Sequence, residues 1–186
     1  MATEDILREL ETRMKKTLDV VSKELAGIRT GRASPSLVEN VVVDYHGVPT
    51  PLKQMATISA PEARLILVQP WDKTAVGMVD KGIRKADLGF NPTSDGNVLR
   101  IAIPPLSEER RTEMTKLVKK RVEEGKIALR NIRRDGVEHL RVMEKEKKIS
   151  QDEEKRGLDK LQKLTDAFIL QAEKAGQAKE AELMKV

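Results

Sequence analysis

The chain lacks cysteine and is poor in aromatic residues, with one Trp, one Tyr and two Phe among 186 residues. Without cysteine there is no disulfide, no thiolate nucleophile and no cysteine-ligated zinc or iron–sulfur centre. So few aromatic rings argue against binding single-stranded nucleic acid by base stacking. No apolar run approaches the roughly 18 residues of a membrane span, and acidic residues among the first ten are unlike a signal peptide. We therefore expect a cytoplasmic protein that does not contact membranes.

Catalytic patterns are also missing. There is no paired-histidine metal motif, no phosphate-binding glycine loop and no G-x-S-x-G. Of the two histidines, His46 falls in a predicted turn, and His139 falls at the edge of an apolar helix face, where a structural role is favoured. The carboxylates of Asp152-Glu153-Glu154 open a predicted helix and suit its dipole. The sequence thus predicts no enzyme, no metal site and no cofactor, and it disfavours an RNA-modifying enzyme.

Three segments repeat apolar residues at helical spacing between abundant charges. They are residues 4–29, residues from 107 to about 147, and residues from 150 to about 183. Ser107 followed by two glutamates is a favourable start for the second helix, and Ser150 with Glu153 predicts a capping box for the third. Because each apolar stripe needs burial, the three helices are expected to pack as an antiparallel-type bundle.

Residues 31–105 show shorter apolar runs, typical of a small β/α/β unit inserted between the first two helices. Pro104-Pro105 ends this unit because proline cannot donate to a sheet ladder. The fold class is α+β: a bundle of 1–30 and 106–186, an inserted domain of 31–105, and flexible or turn-forming connections near 30–31 and 104–105. The predicted elements of the unit are strands Val41–Tyr45, Ala56–Ser59, Arg64–Gln69 and Val98–Ile103, a helix Lys73–Lys85 and a turn at His46-Gly47.

The formal net charge is +5, and the excess is concentrated in one segment, since residues 110–148 hold 14 basic and seven acidic side chains. A helical wheel places eight cations on one arc, on the side opposite the apolar face. We call them the basic ridge: Lys116, Lys119, Lys126, Arg130, Arg133, Arg134, Arg141 and Lys148.

Two interpretations of the basic ridge remain open. It is either a solvated helix face or a surface that contacts several phosphates of a folded RNA. Few acidic residues lie near Arg130, Arg133 and Arg134 in sequence, so pairing within one helical turn does not account for them. The competing class is an adaptor whose bundle binds another protein, and it predicts salt-tolerant binding instead of binding that weakens steeply with salt.

Four short stretches, in order along the whole chain, resemble the ribosome recycling factor family. The stretches are 28–35 (IRTGRASP), 86–92 (ADLGFNP), 104–111 (PPLSEERR) and 130–135 (RNIRRD). The resemblance implies an L-shaped molecule with a tRNA-like outline. We also expect a monomer that binds neither DNA nor membrane.

For function, the resemblance implies binding to the post-termination ribosome, mainly to large-subunit ribosomal RNA, and subunit splitting with elongation factor G. The family's RNA-contacting arginines correspond to Arg130, Arg133 and Arg134, and the ridge adds Lys119, Lys126 and Arg141 as candidate RNA contacts. Arg29 and Arg32 match a hinge motif, although capping the end of the first helix is an equal alternative. The candidate hinge set is Arg29, Thr30, Gly31, Arg32, Pro104 and Pro105.

Overall fold

The structure is a computed structural model that describes residues 3–185. The chain divides into two compact units, one built from the residues up to Thr30 and from Glu108 onward, the other from Gly31–Ser107. None of the described helices is both long and apolar enough to cross a membrane. The α-helices of the described residues are α1 (Thr3–Ala26), α2 (Val76–Lys85), α3 (Glu108–Lys145) and α4 (Gln151–Met184).

Helices α1, α3 and α4 form a three-helix bundle, which confirms the prediction made from the apolar spacing. Its core contains Leu10, Met14, Leu129, Leu140 and Leu161, each at most 4% exposed. The C-terminal half of α3 packs against the N-terminal halves of α1 and α4. Its N-terminal half packs against the C-terminal halves of both helices. Helix α3 is therefore antiparallel to both neighbours.

Glycines set the spacing of the bundle. A Cβ atom on Gly136 of α3 would lie 2.5 Å from Leu10 Cδ1 and 2.8 Å from Leu161 Cδ2. A Cβ atom on Gly176 of α4 would lie 2.6 Å from Val122 Cγ2. The neighbouring helices thus approach α3 more closely than alanine would allow, at a helix-propensity cost of about 1 kcal/mol per glycine.

The turn between α3 and α4 follows from local chemistry. Lys147 adopts a left-handed conformation with φ 57°. The backbone N–H of Glu153 then donates to Ser150 Oγ at 3.2 Å, and the N–H of Ser150 donates to Glu153 Oε2 at 2.8 Å. The backbone N–H of Ser150, followed by its hydroxyl, donates to the Glu153 carboxylate and lowers its pKa. The predicted capping box is confirmed.

The inserted unit contains two antiparallel sheets. One is the hairpin β1 (Val42–Tyr45) with β2 (Val48–Pro51). The other has the order β3-β4-β6-β5. Its strands are β3 (Ala56–Glu62), β4 (Leu65–Pro70), β5 (Pro92–Asp95) and β6 (Val98–Ala102).

Strands β2 and β5 were absent from the sequence prediction, because Pro49, Pro51 and Pro92 count against a strand. Both strands lie at the edge of a sheet, where proline is tolerated. The other strands, the turn at His46-Gly47 and the helix are confirmed. The helix begins as a 3-10 turn, in which Asp72 accepts from the N–H of Thr74 at 2.9 Å.

Helix α2 contributes Val79 and Ile83 to the core of this unit, where they lie among Ile66, Val68 and Leu99. All five side chains are fully buried. Gly82 allows a close approach to β1, since its Cβ atom would lie 2.9 Å from Val43 Cγ2. The hairpin and α2 are therefore held together as one layer.

Candidate nucleic-acid interface

Helix α3 is the element that carries the basic ridge. It runs for 38 residues without a proline, or about 57 Å at 1.5 Å per residue. Val118, Leu129 and Leu140 are fully buried along its length, so α1 and α4 fix its rotation about its axis. Side chains on α3 therefore project from a rod with defined spacing.

Two members of the basic ridge, Lys126 and Arg133, lie on the flank of α3 that borders α4 and not on the side opposite the apolar face. Lys126 Nζ lies 2.8 Å from Glu173 Oε1 of α4. Arg133 Nη1 donates to Gln162 Oε1 of α4 at 3.3 Å. A helix packed against two neighbours buries a wide arc, and cations beside that arc reach the adjacent helix.

Lys126 belongs to the packing between helices as much as to the surface. Its side chain is only 18% exposed, and its ammonium pairs with Glu173 and, at 3.8 Å, with Glu123. Moving this ammonium to an RNA phosphate would break the interhelical pair. The sequence grouped Lys126 with the exposed cations, but the structure gives it partners on both helices.

Arg130 also has a partner that the sequence argument overlooked. Its Nη1 lies 3.2 Å from Glu123 Oε1, seven residues earlier and therefore two helical turns away. Pairing within one turn is indeed absent at Arg130, as predicted, but pairing over two turns is present. Both side chains are about half exposed, so water screens this pair and phosphate can compete with the carboxylate.

Four of the remaining ridge residues on α3 are exposed, and none of the four has a carboxylate partner among the described residues. In the region described by the structure, residues 3–185, no ion pair or hydrogen bond engages the side chains of Lys116, Lys119, Arg134 or Arg141. Arg133 contacts only the neutral amide of Gln162 and keeps an uncompensated charge. Arg133 and Arg134, together with Arg141, thus present guanidinium groups that suit phosphate oxygens.

The opposite flank of α3, which borders α1, shows the reverse arrangement. Arg13 of α1 donates to Asp135 at 2.8 Å. Arg121 pairs with Glu124 at 3.1 Å and lies 3.9 Å from Glu24 of α1. Here acidic and basic groups are matched between helices, so the surplus of positive charge belongs to the α4 side.

Other residues also fall in different places than the sequence suggested. Lys148 lies beyond the end of α3 and pairs with Glu146, so it is not part of the helical row. His139 is exposed and does not pack at the edge of the core. Sequence reasoning missed Ile127, an apolar side chain 48% exposed on the same helix. It also missed Gln162, whose role depends on the register between α3 and α4.

The candidate hinge residues lie around the boundaries between the units. Gly31 has φ +73°, a conformation that glycine adopts without strain, and its Cβ atom would lie 3.1 Å from Leu106 Cγ. The last turn of α1 is closed by the backbone N–H groups of Gly27 and Ile28. Among the described residues, no side-chain hydrogen bond links Arg29 or Arg32 to a helix carbonyl, so the capping alternative has no support. Pro104 and Pro105 are exposed in an irregular segment.

Within residues 3–185, no group of His, Cys, Asp or Glu side chains is arranged to hold a metal ion. What the described surface of α3 offers is a row of cations on one flank. The fold and this surface define an α+β protein in which a three-helix bundle presents a row of exposed cations.

Comparisons with known proteins agree on one family. The family model for ribosome recycling factor matches residues 21–184. The ribosome-recycling factor of Dehalococcoides mccartyi strain 195 is 55% identical over 182 residues, covering 98% of each chain. That of Thermomicrobium roseum is 52% identical over 183 residues, covering 98% of this chain and 99% of its own. The chain belongs to the ribosome recycling factor family.

Solved structures agree with this assignment. A solution structure of ribosome recycling factor is 47% identical and superposes with a TM-score of 0.73, covering 99% of this chain and 98% of that one. A second structure places the T. thermophilus factor and E. coli elongation factor G on the E. coli post-termination complex. Its recycling factor is 43% identical with a TM-score of 0.64, covering 99% of this chain and all of that one.

Proposed function

We propose that this chain binds the post-termination ribosome and, together with elongation factor G, splits it into subunits and frees it from mRNA. Membership of the family and the relative described on a post-termination complex support this proposal. The observation that carries it is the row of unpaired cations on α3. The chain acts by binding, as a cytoplasmic monomer, and the energy of splitting comes from GTP hydrolysed by elongation factor G.

The α4 flank of α3 meets large-subunit ribosomal RNA in this proposal. Arg133 and Arg134 make the strongest contacts because each guanidinium can donate two hydrogen bonds to one phosphate. Lys119 extends the contact along the helix as a single charge, and Arg141 extends it as a further guanidinium group. Arg130 joins when a phosphate displaces Glu123, whereas Lys126 contributes mainly through its pair with Glu173.

The first test is co-sedimentation with vacant ribosomes across a salt series, comparing the native chain with Arg133→Ala. We expect binding that weakens as salt rises, with a slope that reports the number of phosphate contacts. The variant should bind about tenfold or more weakly, since a charge-assisted contact contributes on the order of 1–3 kcal/mol. Absence of binding at low salt would instead favour the adaptor alternative.

We also infer that the two units move about a hinge formed by Arg29, Thr30, Gly31, Arg32, Pro104 and Pro105. The bundle holds the RNA while the inserted unit receives the push of elongation factor G. Replacing both Pro104 and Pro105 by glycine should leave ribosome binding within about twofold, because the cations are untouched, but should slow splitting measured by light scattering. Splitting at the native rate would contradict the hinge.

A further inference from the structure

The inserted unit contains a cleft that the proposed function does not use. It has a volume of about 660 Å³ and lies between the β1–β2 hairpin and α2. One wall is formed by alternate residues of β1 and by the turn that follows it. The other wall is formed by residues three to four positions apart on α2. The lining residues are Val42, Asp44, His46, Gly47, Pro49, Met78, Lys81, Gly82 and Lys85.

The base of the cleft is apolar and open. Val42 is 59% exposed although it is a β-branched strand residue, and Met78 and Pro49 lie beside it. Gly82 contributes no side chain to the wall, and α2 approaches β1 closely at this point. An exposed apolar strip of this kind favours contact with another apolar group.

The α2 wall adds two positive charges. Lys81 and Lys85 are four residues apart, so they stand on the same face with Cβ atoms about 6 Å apart. Both are exposed, and no ion pair engages either one among residues 3–185. On the facing wall, Asp44 already accepts the N–H of Gly47 at 2.7 Å. The cleft therefore has an excess of positive charge.

The hairpin wall is held in place before any partner arrives. Tyr45 donates its hydroxyl hydrogen to Asp72 Oδ2 at 2.6 Å, which ties β1 to the start of α2. The ring of His46 contacts that of Tyr45 edge to face at a centroid distance of 4.6 Å. A preformed cleft costs a partner less ordering energy than a mobile one.

From these features we propose that the cleft binds an extended, acidic segment of a protein partner. Alternate side chains of an extended strand are about 6.7 Å apart on one face, close to the spacing of Lys81 and Lys85. Two acidic side chains at alternate positions therefore reach both lysines, and an apolar side chain of the same segment covers Val42 and Met78. Nucleic acid fits less well, because the lining contains the carboxylate of Asp44, and the ring of His46 is already in contact with that of Tyr45.

The test is an NMR titration of the ¹⁵N-labelled full chain with a short peptide of alternating glutamate and valine. We expect shift changes confined to residues 42–49 and 78–85, and none with a matched peptide of lysine and valine. Lys81→Glu with Lys85→Glu should weaken binding by about tenfold or more, because both contacts become repulsive. Lys53→Glu with Lys73→Glu makes the same charge change in the same unit outside the cleft and should alter binding less than about twofold.

Three outcomes would overturn the proposal: shift changes outside the cleft, equal weakening by both pairs of substitutions, or tighter binding of poly(U) at the same residues. The last would assign the cleft to nucleic acid. Comparison of the native and variant spectra without peptide shows whether each variant is folded. Because ribosome binding is not the readout, failure here leaves the proposed recycling function untouched.

Discussion

The two flanks of α3 bear the same kinds of side chain and yet have different surroundings. On the α1 side, Arg13 and Arg121 are matched by Asp135 and Glu24 across the helix interface. Toward α4, Arg133 faces a neutral glutamine, and the neighbouring Arg134 has no acidic partner within residues 3–185. The charge of the neighbouring helix, and not the number of cations, decides which flank remains available to phosphate.

The largest effect is expected from removing two cations from each flank in turn, which tests whether the flanks differ in ribosome binding. Arg133→Ala with Arg134→Ala, and Arg13→Ala with Arg121→Ala, both lower the formal charge from +5 to +3. We expect the first pair to weaken ribosome binding about 100-fold, and to flatten the log–log salt slope by about 1.4–1.8. The second pair should change affinity less than about threefold. Equal losses in co-sedimentation would mean that net charge alone drives binding.

The close approach of the helices can be altered on one flank at a time. Gly125→Ala overlaps Val21 of α1, and Gly176→Ala overlaps Val122 of α3. Overpacking costs about 1–3 kcal/mol, and alanine regains about 1 kcal/mol of helix propensity. We therefore expect urea unfolding to show a net loss of about 0–2 kcal/mol. Only Gly176→Ala should also disturb the Lys126–Glu173 pair.

The control for these glycine variants is Gly77→Ala in α2, where nothing lies within 4 Å of the new Cβ atom. That change should be neutral or stabilise by up to about 1 kcal/mol. Stabilisation by all three alanines would show that neighbouring side chains shift to accommodate the added methyl groups. The glycines would then not set the spacing of the bundle.

Substitutions of Lys126 and Lys119 distinguish a role in helix packing from a role in ribosome binding. Lys126→Met removes an interhelical pair and should lower the free energy of unfolding by at most about 1 kcal/mol, with affinity for ribosomes changed less than about threefold. Lys119→Met should do the opposite, weakening binding about fivefold with stability nearly unchanged. Urea unfolding and co-sedimentation of both variants measure the two quantities. A larger loss of binding from Lys126→Met would place that ammonium on the RNA.

The smallest effect is expected in the inserted unit, away from both flanks. The Tyr45 hydroxyl, followed by the donors of Thr74, lowers the pKa of Asp72 from 3.8 to about 2. A lowered carboxyl pKa adds stability that is present above pH 4 and lost as the pH falls from about 4 to 2. Tyr45→Phe should reduce this dependence, measured by urea unfolding between pH 5 and 2. An unchanged pH profile would show that the hydrogen bond from Tyr45 does not lower the pKa of Asp72 in solution.

Periodicity along the chain was enough to predict the three long helices, the capping box at Ser150 and four of the six strands in the described residues. The missed strands β2 and β5 carry prolines whose edge location depends on strand order, which no local pattern reveals. Wheel geometry could not identify the neighbours of the ridge cations, and it included Lys148, which lies beyond the end of α3. Glu173 lies 47 residues from Lys126, and Gln162 lies 29 residues from Arg133, so both contacts depend on how α4 returns along α3.

The prolines of the inserted unit have a further consequence for the chain at high concentration. Three of its edge strands carry proline. Strand β2 contains Pro49 and Pro51, β3 contains Pro61, and β5 contains Pro92. Each proline removes a backbone donor and interrupts the row of groups that a second copy would need for pairing. Residues that obscure the strand pattern in the sequence thus protect the folded unit against edge-to-edge aggregation.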